Sequence, residues 1–319
     1  MNATAQIPVA QIPIARSDIA ISVIMVSYHT GPVLFDAIAR IFEQSCAIEL
    51  LLVNNGNPED VTSRLQALAA TTPDMTMINN QSNLGFAQAC NQGAAAARGK
   101  IFLMLNPDCL LPINCLPRLL EISRGLPEHW LLGPDLRNLD SSPQRGARRD
   151  RLTPWTAFIE MTRLDLIAPR HPYFRRMNHH HQDLPTDTTE VPAISGAFMA
   201  MSASDFNQLD GFDTGYFLHV EDLDFCYRWH KRGWPIYFTP HLRLIHLQGT
   251  SHVSPWFIEW HKAKGLIRYF NRHFHLFYPA PFLWLLETVL YVRFAVQSMR
   301  LTLRVLLPRN KGISVIQRE

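Results

Sequence analysis

Four short apolar runs alternate with stretches of helical period over the first 108 residues, and few folds accommodate that alternation. Residues 19–27 read as a fully buried strand, followed by the turn His29-Thr30-Gly31-Pro32. Leu34, Ile38, Ile41 and Phe42 then recur at helical spacing, with Pro32 tolerated in the first turn. Residues 49–53 form a second run ending at Asn54-Asn55-Gly56-Asn57, and Pro58-Glu59-Asp60 opens the next helix with its acids at the positive end of the dipole. Residues 75–78 make a third strand, 86–98 a helix closed by Gly99, and 101–105 a fourth strand. Strands separated by helices are joined by right-handed crossovers, so the sequence predicts a parallel, doubly wound α/β sheet.

In such sheets ligands bind outside the carboxyl ends of the strands. Here the polar residues gather there: Ser27 with His29, Asn54 with Asn55, and Asn106 with Asp108. Pro107 stops ladder pairing and aims Asn106 and Asp108 out of the sheet, where a carboxylate can hold a hard cation carrying phosphates. Asn-Pro-Asp is equally ordinary turn chemistry. The first turn, Tyr28-His29-Thr30-Gly31-Pro32, has one glycine only, so the GxGxxG of dinucleotide enzymes is missing, as is a GxxxxGK[ST] phosphate loop.

Composition narrows the class further. With 319 residues, 47% hydrophobic and 18% charged, the chain can bury a large core. A net charge of +3 without a basic run interleaved with aromatics gives no reason to expect a nucleic-acid partner. Five cysteines, odd in number and without a CxxC pair, fit free thiols in a reducing, cytosolic-facing setting. Residues 1–18 read as an N-terminal extension, broken by Pro8 and Pro13 and without the pattern of a signal peptide.

A second chemical centre lies at Glu221-Asp222-Leu223-Asp224, which opens a helix whose apolar stripe continues through Cys226 and Tyr227. The acids suit the helix dipole, and N-capping alone explains them as well as general-base chemistry does. His246 follows Leu242, Leu244 and Ile245 and precedes Gly249, at a strand end; it is a structural histidine or a ligand. Between residues 134 and 190 the pattern loosens into Arg145, Arg148, Arg149, Arg151, Arg163, Arg170, Arg175, Arg176 and His179-His180-His181, read as a solvated loop, or one that closes over a diphosphate.

Taken in order, these stretches resemble a known family. Val26-Ser27-Tyr28-His29, Leu52-Val53-Asn54-Asn55-Gly56-Asn57, Asn83-Leu84-Gly85-Phe86-Ala87 with Asn91 and Gly93, and Leu105-Asn106-Pro107-Asp108 are similar to family 2 glycosyltransferases of the rhamnosyltransferase type. Ser195-Gly196-Ala197-Phe198-Met199, Gly211-Phe212-Asp213, residues 221–228 and residues 246–251 continue the likeness, which covers about residues 19–253. The resemblance implies a GT-A fold over 19–274, with a nucleotide-binding half (19–133) and an acceptor and catalytic half (134–274). It also implies a nucleotide-diphosphate sugar donor and a divalent metal, Mg²⁺ or Mn²⁺. Residue by residue it implies Asp108 and His246 as metal ligands, with the imidazole favouring Mn²⁺. Asn106, Ser27, His29, Asn54, Asn55, Asn83, Gly85 and Asn91 become donor contacts. Asp222 becomes the base of an inverting transfer, with Glu221 as the nearer alternative and Asp224 as helper. Asn54 departs from the acid common at that position, and its amide would have to pair with the base instead.

Beyond residue 274 the composition turns to Leu, Val, Phe and Trp, interrupted by Glu287, Arg293, Arg300 and Arg304. No uninterrupted span of about 20 apolar residues is evident. Arg293, Gln297, Arg300 and Arg304 fall on one helical face, which predicts an amphipathic appendage over 275–319. It would lie on the cytoplasmic face of a membrane, cationic side to the headgroups, or pack on protein. A membrane surface suits an acceptor glycan carried on a polyprenyl lipid. The expectation is thus a metal-assisted transfer of rhamnose from dTDP-rhamnose to a cell-surface glycan or lipid-linked acceptor, the alternative being a silent nucleotide-sugar- or lipid-binding subunit.

Overall fold

A computed structural model describes residues 19–167, 171–174, 177–251 and 253–306. The expectations on residues 1–18, on Arg170, Arg175, Arg176 and on 307–319 lie outside these, as does the Arg304 side chain. The first part of the chain is β1 (Ile21–Ser27), α1 (Val33–Phe42), β2 (Ile48–Asn54), α2 (Glu59–Thr71), β3 (Met75–Asn79), α3 (Phe86–Ala96) and β4 (Ile101–Leu105). It pairs in the order β3-β2-β1-β4, all parallel. Every residue of β1 and β2 is buried, because helices cover both sheet faces. The period of two assigns them: Val23, Met25, Leu50 and Leu52 pack on Leu34, Ile38 and Ile41 of α1, while Ile24, Val26, Leu51 and Val53 meet Ala87, Ala89 and Cys90 of α3. The side chains of α3 are small because it lies close; a Cβ at Gly93 would fall 2.7 Å from Ile24. The one acid inside β2, Glu49, accepts from Ser22 Oγ at 2.6 Å, from the Arg98 amide at 2.6 Å and from Arg98 Nε at 2.9 Å.

The second half is mixed rather than parallel. It runs β5 (Cys109–Leu110), α4 (Cys115–Arg124), β6 (Leu131–Arg137), β7 (Arg148–Arg149), α5 (Pro154–Thr162), α6 (Leu164–Ile167), β8 (Thr189–Glu190), β9 (Ala193–Ile194), β10 (Phe198–Ser202), α7 (Ala203–Gln208), α8 (Glu221–Lys231) and β11 (Ile236–His246). β10 runs antiparallel between β4 and β6, and β6 pairs in parallel with β11. Insertion of β10 brings the carboxyl ends of β4, β6 and β11 and the start of β10 to one sheet edge, where α8 also begins.

The chain continues in α9 (Pro255–Phe274) and α10 (Ala280–Leu306), which pack on each other. Leu283, Leu286 and Leu290 of α10 are buried, and Arg293 turns to the same side to pair with Glu259 of α9 at 3.4 Å. The outward face is therefore apolar, carrying Trp284, Leu285, Val292, Val296, Met299 and Leu303. Arg293 thus departs from the expected outward arrangement of cations, whereas Arg300 is exposed; α9 decides which side is covered. Residues Ala280–Leu303 form one helix long and apolar enough in length and composition to cross a bilayer, which the scattered charges had argued against.

Candidate active site

Four of the sequence-predicted groups meet at that sheet edge. The turn after β4 is stitched on both sides: the Asn106 amide donates to Ala197 O at 2.9 Å, and the Leu247 amide to Asp108 O at 3.1 Å. Asp108 Oδ1 and His246 Nε2 lie 3.1 Å apart, Asn106 Nδ2 is 3.3 Å from the same nitrogen, and Thr250 Oγ1 donates to Asp108 Oδ2 at 3.2 Å. Gln144 Oε1 faces His246 Nδ1 at 2.6 Å. The amide orientation of Gln144 is determined by its nitrogen, which donates to His246 O at 3.0 Å and Asn138 Oδ1 at 3.2 Å. The hydrogen between Gln144 and the ring therefore sits on Nδ1.

In the neutral ring Nε2 then carries a lone pair that accepts from Asn106 Nδ2 at 3.3 Å and also faces a carboxylate oxygen, and a cation between them would reconcile the two acceptors. The pair fits a divalent metal on donor chemistry, one hard oxygen and one imidazole nitrogen. Cys109 completes a cluster with these two, its potential ligand atom within 4.8 Å of theirs. Burial, with Asp108 beside it, pushes its thiol well above the usual range, and Sγ donates to Ala197 O at 3.4 Å, so it is a poor ligand.

The loop that holds Asn106 also holds the base candidate. Asp222 Oδ2 accepts from the Gly196 amide at 3.0 Å and from Arg149 Nη2 at 2.6 Å, while Oδ1 accepts from the Leu223 amide at 2.8 Å. Burial opposes its charge, but Arg149 and these amides hold the Asp222 carboxyl below the usual range. Burial and the neighbouring Asp222 push Glu221 up to about 8. Two adjacent carboxyls are thereby driven apart, Asp222 ionised and Glu221 neutral at pH 7. His219 and Val220, at φ 65° and 74°, turn the chain sharply into α8; left-handed backbone at a β-branched residue costs about 1–3 kcal/mol. Asp224 lies beneath the site, bound to His273 Nε2 at 2.7 Å, Arg228 Nε at 2.7 Å and Tyr216 Oη at 3.1 Å, so it ties α8 to α9.

The asparagines after β2 and ahead of α3 form a connected network. Asn54 is buried; its amide nitrogen donates to Thr62 Oγ1 and Asn79 Oδ1, and its oxygen accepts from the amide and side chain of Asn57. Its hydrogen-bonding capacity is spent on shaping the turn, which leaves little for the base. Asn57, which sequence reasoning passed over, joins β1 to β2: Nδ2 reaches Ser27 Oγ at 2.9 Å and Oδ1 accepts from the His29 amide at 2.6 Å. Asn55 binds Asn83 Oδ1 at 2.8 Å and the Leu84 amide at 3.1 Å, and Asn83 Oδ1 accepts from Gly85 at 2.9 Å. Gly85 has φ +87°, and a Cβ there would lie 2.7 Å from Phe217 O, so glycine is required at the entry to α3. Asn91 stands apart, its amide bound at both ends to the Phe212 backbone at 2.8 and 2.9 Å.

The basic loop is less solvated than its sequence predicts. Arg149 is half-buried against Asp222 and Ile194 O because β7 pairs with β9. Arg148 binds the carbonyls of Gln182 and Asp183, and Arg145 pairs with Glu160 at the surface. Gln144 and Arg149 were legible only as members of a polar stretch, since their partners are 102 and 73 residues away.

Residues 22–209 match the profile of Glycosyl transferase family 2. The chain belongs to that family. It is 24% identical over 290 residues to an N-acetylglucosaminyl-diphospho-decaprenol L-rhamnosyltransferase of Mycobacterium tuberculosis (strain ATCC 25618 / H37Rv), covering 85% of this chain and 90% of the relative. The crystal structure of GalNAc-T7 with UDP, GalNAc and Mn²⁺ superposes with a TM-score of 0.57 at 17% identity over 81% of this chain; this chain spans about half, 48%, of that longer one. The mannosyltransferase PcManGT of Pyrobaculum calidifontis, in complex with GDP-Man and Mn²⁺, gives a TM-score of 0.53 at 15% identity, covering 93% of this chain and 77% of the other. The fold is GT-A, and the family 2 chain is a glycosyltransferase.

Proposed function

We propose that this glycosyltransferase inverts the anomeric centre as it moves rhamnose from dTDP-rhamnose to a glycan carried on a polyprenyl diphosphate. The observation that carries this reading is the loop Ser195-Gly196-Ala197, bonded on one side to Asn106 and on the other to Asp222. It sets the phosphate-side turn and the proton acceptor against a common backbone, as a displacement between donor and acceptor requires. The decaprenol-linked substrate and the rhamnosyl group in the name of the mycobacterial relative support the choice of acceptor and sugar.

Asp108 and His246 would hold the divalent metal, which when bound offsets charge on the nucleoside diphosphate as it departs. Asn55, Asn83 and Gly85 shape the turn into α3, whose first amide is taken by Phe217 O, and this turn would border the donor. Asp222 takes the proton of the acceptor hydroxyl; Arg149 keeps it ionised and turns its Oδ2. Glu221, neutral beside it, adds no second charge to the site. The outward apolar face of α10 supports work at a membrane surface, on the cytoplasmic side where nucleotide sugars are made.

The test is transfer from dTDP-rhamnose to polyprenyl-diphosphate-linked N-acetylglucosamine, read by mass spectrometry with product anomeric configuration by NMR. Asp222→Asn should lower turnover by roughly 10²–10⁴ while leaving donor binding intact. Full turnover by Asp222→Asn, or a product with retained configuration, contradicts the assignment.

A further inference from the structure

We infer that Gln144 is a positioning residue that locks His246 as the Nδ1–H tautomer and so leaves Nε2 unprotonated, its lone pair directed at Asn106 Nδ2 and at the cation that Asp108 would hold. The inference rests on the proposed metal site, but its core is a statement about the imidazole that holds with no metal present.

The geometry leaves little freedom. Gln144 is 2% exposed, and both ends of its amide are engaged within the protein. Its nitrogen donates to two carbonyl oxygens, His246 O at 3.0 Å and Asn138 Oδ1 at 3.2 Å. Rotating the amide would set an oxygen against both, so Oε1 stays at 2.6 Å from Nδ1 and receives its hydrogen. Free imidazole favours the other tautomer modestly, and a buried acceptor at this distance outweighs that preference. The consequence falls on the far side of the ring, where Nε2 faces Asp108 Oδ1 at 3.1 Å. Had Nε2 carried the hydrogen, it would donate to Asp108 and close the place a cation needs. Ligating histidines are oriented in this way by the partner of their other nitrogen, and loss of that partner costs about 10–100-fold in metal affinity.

Gln144 also holds the backbone of His246, so the two roles must be separated. Gln144→Met removes every polar contact at similar volume. Gln144→Glu restores an oxygen opposite Nδ1 but not the donor to His246 O.

The experiment has two arms. In the metal-free full chain at pH 9, the ¹⁵N shifts of His246, assigned with His246→Gln, report which nitrogen is protonated. The wild type should show Nδ1 protonated, and Gln144→Met should lose that preference. Mn²⁺ affinity, measured by EPR of the free ion in the presence of nucleoside diphosphate, should fall at least tenfold in Gln144→Met and return to within about threefold of wild type in Gln144→Glu. A wild-type His246 protonated on Nε2 overturns the inference without any variant, as does Gln144→Met that binds Mn²⁺ like wild type. A wild type that keeps the Nδ1–H tautomer yet binds no Mn²⁺ contradicts the metal site, and with it the positioning role.

Discussion

Arg149 Nη2 lies 2.6 Å from Asp222 Oδ2, and the same nitrogen donates to Ile194 O at 2.5 Å, so one half-buried guanidinium joins the proposed base to the strand beneath it. β7, only two residues long, puts it there. The pair sits among the proposed catalytic groups, where depressing the pKa of Asp222 trades basicity for readiness: the carboxylate is ionised throughout the neutral range.

Arg149→Met should cost about 1–3 kcal/mol of stability, since it strands a half-buried carboxylate. It should also move the acid limb of the pH profile of kcat/KM upward, because Asp222 loses the charge that holds its proton affinity down. A stability loss with an unmoved limb would leave Arg149 a purely structural residue.

Glu221 titrates in the opposite sense. Its folded-state value of about 8 lies above that of an unfolded glutamate, so its contribution to stability is complete below about pH 4.5 and is lost as pH rises towards 8. Glu221→Gln should flatten that decline: thermal midpoints of variant and wild type should diverge between pH 6 and 8.5, the variant being the higher. Parallel curves across this window would show that Glu221 is ionised in the fold.

Gly85→Ala meets both a left-handed φ of +87° and a carbonyl 2.7 Å from the new Cβ. A cost of about 2–3 kcal/mol is expected from strain and the forced shift of Phe217. Donor affinity, followed by calorimetry, should weaken more than tenfold, since the turn that frames α3 must move. Unchanged affinity would remove this turn from the donor site.

On α10, Trp284→Glu with Val292→Glu places two charges on the outward apolar face without touching its buried leucines. The thermal midpoint should hold within a degree or two, while sedimentation with phosphatidylglycerol vesicles should fall several-fold. Equal sedimentation of variant and wild type would mean that this face does not contact lipid.

Much of the chain from β1 to β4 was legible because its signals are local. Apolar runs with helices between them predict a parallel sheet, found in the order β3-β2-β1-β4, and Asn-Pro-Asp marks the strand end by its own backbone chemistry. What escaped depends on distant pairing. β10 reverses the sheet direction through ladders with β4 and β6, which no period in the sequence encodes. Arg149 looked like one of several surface arginines until β7 paired with β9. Asn54 looked free to contact a base, whereas Asn57, Thr62 and Asn79 consume its amide. On α10 the inward turn of Arg293 escaped because Glu259, its partner, belongs to another helix.

The most direct test of the central claim, a metal-assisted donor site built on Asp108, is a thermal-shift comparison of wild type and Asp108→Ala with a panel of nucleotide-diphosphate sugars, each with and without Mn²⁺. The account predicts that dTDP-rhamnose and Mn²⁺ together raise the wild-type midpoint by about 5 °C at a hundredfold excess over Kd, and that Asp108→Ala loses the metal-dependent part. No rise with any nucleotide sugar, or an equal rise in Asp108→Ala, would contradict it.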